Sequence, residues 1–149
     1  MAVLAKTLYG TDFAEWSAQT AELLRQRRFD EIDIENVAEE IQSLGDSQFQ
    51  GARSQLGRML WDLINRKLKP ERDGGTWRAS IVNAQQEILD AIDSSPSLRR
   101  RLTDRFDQTY RQAIKGARYE TGLDAVEIPA ECPFVLEQLL EGDPTLLHF

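Results

Sequence analysis

Apolar residues recur along this chain at helical spacing, and strict alternation of apolar and polar positions never lasts beyond a few residues. The pattern predicts an all-α fold, a bundle of five or six helices with a long central helix. A first helix is expected from Thr11 or Asp12, since Asp12 and Glu15 have the spacing of a capping box, with Phe13, Trp16, Thr20, Leu23 and Leu24 on its buried side. Arg25, Arg27 and Arg28 suit the negative end of its dipole, and Phe29 and Ile32 are expected to drop into the core from the connector. Asp33 is placed to cap the next helix, whose stripe Ile34, Val37, Ala38, Ile41, Leu44, Gln48, Ala52, Met59 and Leu63 stays nearly in phase at about 100° per residue. One helix to about Leu68, kinked near Gly45, is the favoured reading. Against it, Gly45, Gly51 and Gly57 each cost about 1 kcal/mol relative to Ala, and Leu44-Gly45-Asp46 also reads as a stop followed by a new cap.

Beyond Gly57 the apolar arc widens to take in Leu60, Trp61, Ile64 and Leu68, which predicts neighbours on two sides or an exposed face for a partner. Lys69 to Gly75 reads as a loop through Pro70, followed by a helix from about Thr76 to Asp93. Ser95-Pro96 offers an N-cap and a first-turn proline for a helix carried to Thr121 by Leu98, Leu102, Phe106, Tyr110, Ala113 and Ala117, with Gly122 as its C-cap. A short helix is expected to start at Cys132-Pro133 and end by Gly142 and Pro144, leaving Thr145 to Phe149 frayed.

Length then bounds the organisation: 149 residues fit one helical domain, with its core at about residues 8 to 142. With 41% apolar and 29% charged residues and a net charge of −7, the composition is that of a soluble globular protein. No apolar run approaches the roughly 20 residues a bilayer requires, and Met1 to Lys6 lacks the basic and apolar regions of a signal peptide, so a cytoplasmic address is expected. The single Cys132 and single His148 exclude an internal disulfide and a His/Cys zinc cluster.

Candidate chemistry is sparse. Asp33, Asn36 and Glu40 share one surface of the central helix, but a di-metal carboxylate site also wants Glu-x-x-His on two helices, which the chain lacks. Capping by Asp33 and an ion pair of Glu40 with Arg78 account for the group, a weak Mg²⁺ or Ca²⁺ site being the alternative; no metal or other cofactor is expected. Charge is segregated: residues 1–52 carry 4 Lys+Arg against 10 Asp+Glu, 53–78 carry 7 against 3, and 99–118 carry 7 against 2. Arg66, Lys67, Arg72 and Arg78 near Trp61 and Trp77, with Arg100, Arg111, Lys115 and Arg118 on a later helix, form the candidate nucleic-acid surface. An overall negative chain opposes that use near phosphates. Cys132 precedes an expected helix N-terminus, a location that lowers a thiol pKa, but no His is close in sequence. No serine lies in a Gly-x-Ser-x-Gly context and no phosphate-cradling glycine loop is present.

The order of segments resembles domain-of-unknown-function family twenty-nine. The likeness is carried by Leu8-Tyr-Gly-Thr-Asp-Phe-Ala-Glu-Trp16, Phe29, Asp33-Ile-Glu-Asn-Val-Ala-Glu-Glu-Ile41, Ser43-Leu-Gly45, Pro70-Glu-Arg72, Thr76-Trp-Arg78, Ser95-Pro-Ser-Leu98, Glu120-Thr-Gly122 and Glu131-Cys-Pro-Phe134. The resemblance implies a bacterial, largely helical protein without an assigned activity, so no family catalytic residue carries over. The chain departs from the family pattern at Leu63 to Lys69 and at Asp73-Gly-Gly75, where relatives have a more basic loop. The expected function is a non-catalytic interaction or structural module acting on a protein partner or on itself, with Leu60, Trp61, Ile64 and Leu68 as its candidate surface. A nucleic-acid-associated factor is the alternative, and a metal-dependent hydrolase the remotest reading; no membrane partner is expected.

Overall fold

The computed structural model describes residues 8–72, 74–122 and 127–149, and every regular element among them is helical. After a helical turn at 8–11 come α1 (Phe13–Arg25), α2 (Ile34–Leu68), α3 (Gly75–Ser94), α4 (Leu98–Asp104), α5 (Phe106–Thr121) and α6 (Leu136–Leu140), with 3-10 turns at Phe29–Glu31, Pro70–Arg72 and Pro144–Leu146. The long helix is real: α2 runs 35 residues through Gly45 without interruption. The chain divides into two compact units, Met1–Asp46 and Ser47–Phe149, with the boundary inside α2.

In the first unit Asp12 caps α1 by accepting from the Glu15 amide at 3.0 Å. The expected box is one-sided, because the Glu15 carboxylate accepts from Gln19 instead. The helix ends in a Schellman arrangement, with Arg27 N–H donating to Leu24 C=O and Arg28 N–H to Leu23 C=O. Arg27 occupies the left-handed position at φ 59°, where glycine is the usual resident. Trp16 is buried beneath Tyr9 and Phe13, whose ring centroids lie 4.8 and 5.4 Å away, and Tyr9 Oη donates to Glu40 at 2.6 Å. The Glu40 carboxylate holds the Tyr9 phenol up at about 12. Phe13, Leu24 and Phe29, expected inside, are exposed, since a unit of this size offers too few elements to cover them.

The second unit holds the main core. Leu56, Met59, Leu60 and Ile64 of α2 join Ile81 and Ile88 of α3, Leu102 of α4, Tyr110 and Ala113 of α5 and Leu139 of α6 in one buried cluster. The helix expected from Ser95 to Thr121 is divided at Arg105, the one residue between α4 and α5, which sits at φ −107°, ψ 8°. Ser95 does not cap it; its hydroxyl donates to Gln48 Oε1 at 2.9 Å while its amide closes α3. Gly122 ends α5 as expected, at φ 65°, donating to Arg118 C=O. The short helix begins at Leu136 rather than Cys132, because Val135 is extended and the Gln138 side chain accepts from its amide at 2.9 Å. Nor is the last segment frayed: Pro144 is fully buried, and Phe149 stacks on Tyr110 at 5.9 Å and meets Phe134 edge-on at 5.2 Å.

Candidate functional site

One face of α2 within the second unit carries Arg53, Gly57, Trp61 and Asn65, spaced four apart and therefore stacked in a row along the helix. Together with Thr109, Gln112 and Glu120 of α5 and Trp77 of α3, this row lines a cavity of about 610 Å³. Arg53 spans one end, its Nε donating to Thr109 Oγ1 and its Nη2 to Gln112 Oε1, both at 3.0 Å. At the other end Glu120 Oε2 accepts from Trp61 Nε1 at 2.7 Å and, more weakly, from Asn65 Nδ2 at 3.4 Å. A second cavity of about 250 Å³ shares Asn65, Trp77 and Glu120 with the first and adds Lys69 and Arg72.

Glycine is required where Trp61 crosses α5. A Cβ on Gly116 would lie 2.5 Å from Trp61 Cζ3, so the indole rests directly on the α5 backbone and reaches Glu120 one turn further on. Beside it, Asp62 accepts from Ser80 Oγ at 2.7 Å. Burial pushes the Asp62 carboxyl up, and the charge of Glu120 adds to this, while the Ser80 hydroxyl and Arg58 pull it back. Asn65 is 9% exposed, and its Oδ1 has no hydrogen-bond donor among the described residues. Its orientation is fixed chemically, because a flipped amide would set Oδ1 against the Glu120 carboxylate.

The residues singled out in the sequence are dispersed. Asp33 caps α2, accepting from the Asn36 amide at 3.4 Å and from Asn36 Nδ2 at 2.8 Å, and Glu40 accepts from Tyr9. Arg78 is exposed on α3 and helps lower the Asp143 carboxyl, which is held down chiefly by two hydrogen bonds from Thr145. Among the described residues no three His, Cys, Asp or Glu side chains gather as a metal site would require. The apolar arc is not a partner surface: Leu60, Ile64 and Leu68 are core, and half-buried Trp61 packs against that core. The widened arc meets neighbouring helices of its own unit, which consume the face.

The basic set is likewise divided. Arg66 is buried and donates to Thr145 C=O at 2.8 Å, which withdraws it from any nucleic-acid surface. Lys67 and Arg118 are half-buried, whereas Arg72, Arg78, Arg100, Arg111 and Lys115 are exposed. Cys132 lies four residues before α6 rather than at a helix start, and burial pushes its thiol up to about 11 despite a backbone hydrogen bond at Phe134. Sequence reasoning passed over Asp62, Asn65, Gly116 and Glu120. The signal available was the row of every fourth residue from Arg53 to Asn65, polar or small except for one tryptophan.

No helix among the described residues is long and apolar enough to cross a membrane. Residues 8–144 match the model of a family described as "Domain of unknown function DUF29". Comparison with curated proteins and with solved structures finds no match.

Proposed function

The chain belongs to this family of unknown function, and we propose that it serves as a non-catalytic docking module whose first unit receives a basic amphipathic helix of a partner protein. The observation that carries the reading is the apolar stripe at the start of α2. Ile34, Ile41 and Leu44 are 56%, 65% and 72% exposed, and helical geometry places them within about 80° of arc. Apolar side chains aligned over nearly three turns are a hallmark of helix-in-groove or helix-on-helix recognition.

Charge selects the occupant. Residues 1–46 carry 4 Lys+Arg against 10 Asp+Glu, so a second copy of the same face brings like charge, whereas a basic helix brings complementary charge. A synthetic Leu/Lys amphipathic helix and a Leu/Glu helix with the same apolar face make the test. The basic peptide is expected to bind, with affinity falling as salt rises and at least tenfold with Ile41→Lys/Leu44→Lys. Binding of both peptides alike, or of neither, or an unaffected double variant would overturn the reading. Sedimentation showing a dimer that Leu44→Lys dissolves would reassign the stripe to self-association.

A further inference from the structure

Resting on the docking role proposed above, we infer that the stripe of α2 selects a partner helix with an aromatic anchor. A Trp or Phe side chain of that helix seats at Gly45, one heptad from an aliphatic side chain that seats at Ala38.

The stripe is not uniform. Ile34, Ile41 and Leu44 form its raised side, and the helical repeat puts Ala38 and Gly45 within about 40° of Ile34 on the other side. Both small residues are exposed, and all five belong to the first unit. A knob of a facing helix enters a hole framed by residues at i, i+3, i+4 and i+7. Ile34, Val37, Ala38 and Ile41 frame one such hole, and Ile41, Leu44 and Gly45 begin the next. Position i+4 is alanine in the first and glycine in the second, so the second admits the larger knob.

Nothing within the chain accounts for the glycine. A Cβ at Gly45 would meet no atom within 4 Å, its φ is not positive, and α2 passes through it without interruption. Glycine inside a helix is nonetheless disfavoured relative to alanine. Room for a partner side chain explains its presence, because Ile41 and Leu44, 65% and 72% exposed, stand beside it as apolar walls. Trp and Phe fill such a space best. They bury a large area for two fixed torsions and recur as anchors at the centres of interfaces. The first unit's excess of carboxylates assigns Lys and Arg to the remaining faces of the same helix.

The test uses three Leu/Lys amphipathic peptides identical except at one residue, titrated calorimetrically into the full chain. One carries Trp on its apolar face seven residues from a Leu, the second carries Ala there, and the third carries the Trp on its lysine face. The first is expected to bind about tenfold more tightly than the other two. Gly45→Leu fills the hole and should erase that preference by weakening the Trp peptide alone, with Gly45→Ala giving a partial loss. Ser43→Leu adds the same side chain to the opposite face of α2 and should leave the preference intact. Gly45→Leu should also melt no lower than the parent, since leucine is the better helix former and meets open space. Equal affinity of the three peptides for the parent, an unchanged preference in Gly45→Leu, or the same loss in Ser43→Leu would overturn the anchor and leave the docking role standing. Failure of every peptide to bind the parent removes both.

Discussion

The two parts of α2 have the same local structure and the same apolar periodicity, yet they meet opposite fates. From Ile34 to Leu44 the apolar face is largely in water, whereas Leu56, Met59, Leu60 and Ile64 are fully buried. Periodicity states which side chains share a face; whether that face is covered depends on how many other elements its unit supplies. The second unit provides α3 to α6 around its portion of the helix, all contributing to one core. The first provides α1 and short turns, enough to bury Trp16, Thr20 and Ile32 but not the stripe.

Truncation tests this contrast most severely. Leu60→Ala should cost about 2–5 kcal/mol by cavity formation, while Leu44→Ala on the same helix should change stability by less than about 0.5 kcal/mol, both measured by denaturant unfolding. A large loss at Leu44 would mean that the stripe is covered in solution. Next in size, Gly116→Ala forces the Trp61 ring off α5 and should cost about 1–3 kcal/mol, accompanied by a change in tryptophan emission. In the first unit, Arg27→Gly should instead stabilise by about 1 kcal/mol, because the left-handed position at φ 59° then carries no Cβ penalty.

Two titrations sharpen the picture of the second unit. Cys132 should resist alkylation at pH 7 to 8 and react readily only as pH approaches the thiol's value of about 11, followed by mass spectrometry. The smallest effect is expected at Asp62. Its carboxyl is raised above the ordinary 3.8, so the folded chain holds that proton more tightly than the unfolded chain. Stability from this group therefore increases as pH falls through the raised value and levels off below 3.8. Asp62→Asn should stabilise modestly at neutral pH and lose that advantage in acid, as melting curves across pH would reveal.

Much of the fold was legible because helical periodicity and end signals are local. Asp12, Asp33 and Gly122 do at the helix ends what their positions suggested, and the unbroken α2 follows its stripe despite three glycines. What escaped was set by distant partners. Ser95 gives its hydroxyl to Gln48 rather than to its own helix, Arg66 bonds a carbonyl 79 positions away, and Phe149 finds Tyr110. The groove was illegible for the same reason: Trp61, Asn65 and Glu120 become a unit only when α5 comes alongside α2, and Gly116 reads as a weak helix residue until the ring above it is seen. The arc at Leu60 misled because an apolar face wide enough for a partner is also wide enough for two neighbouring helices.

The continuity of α2 across Asp46 and Ser47 has a consequence for helix formation itself. Starting a helix is unfavourable because several residues must be fixed for the first hydrogen bond, while extending one adds a bond for each residue fixed. The packed stretch from Phe49 to Leu68 offers such a nucleus, from which residues 34–46 extend by elongation to the Asp33 cap. Amide exchange should therefore quicken progressively from Phe49 back toward Ile34 instead of changing abruptly at the boundary. Under the proposed docking role, a stripe displayed on such an extension is already helical, so a partner helix does not have to fold it first.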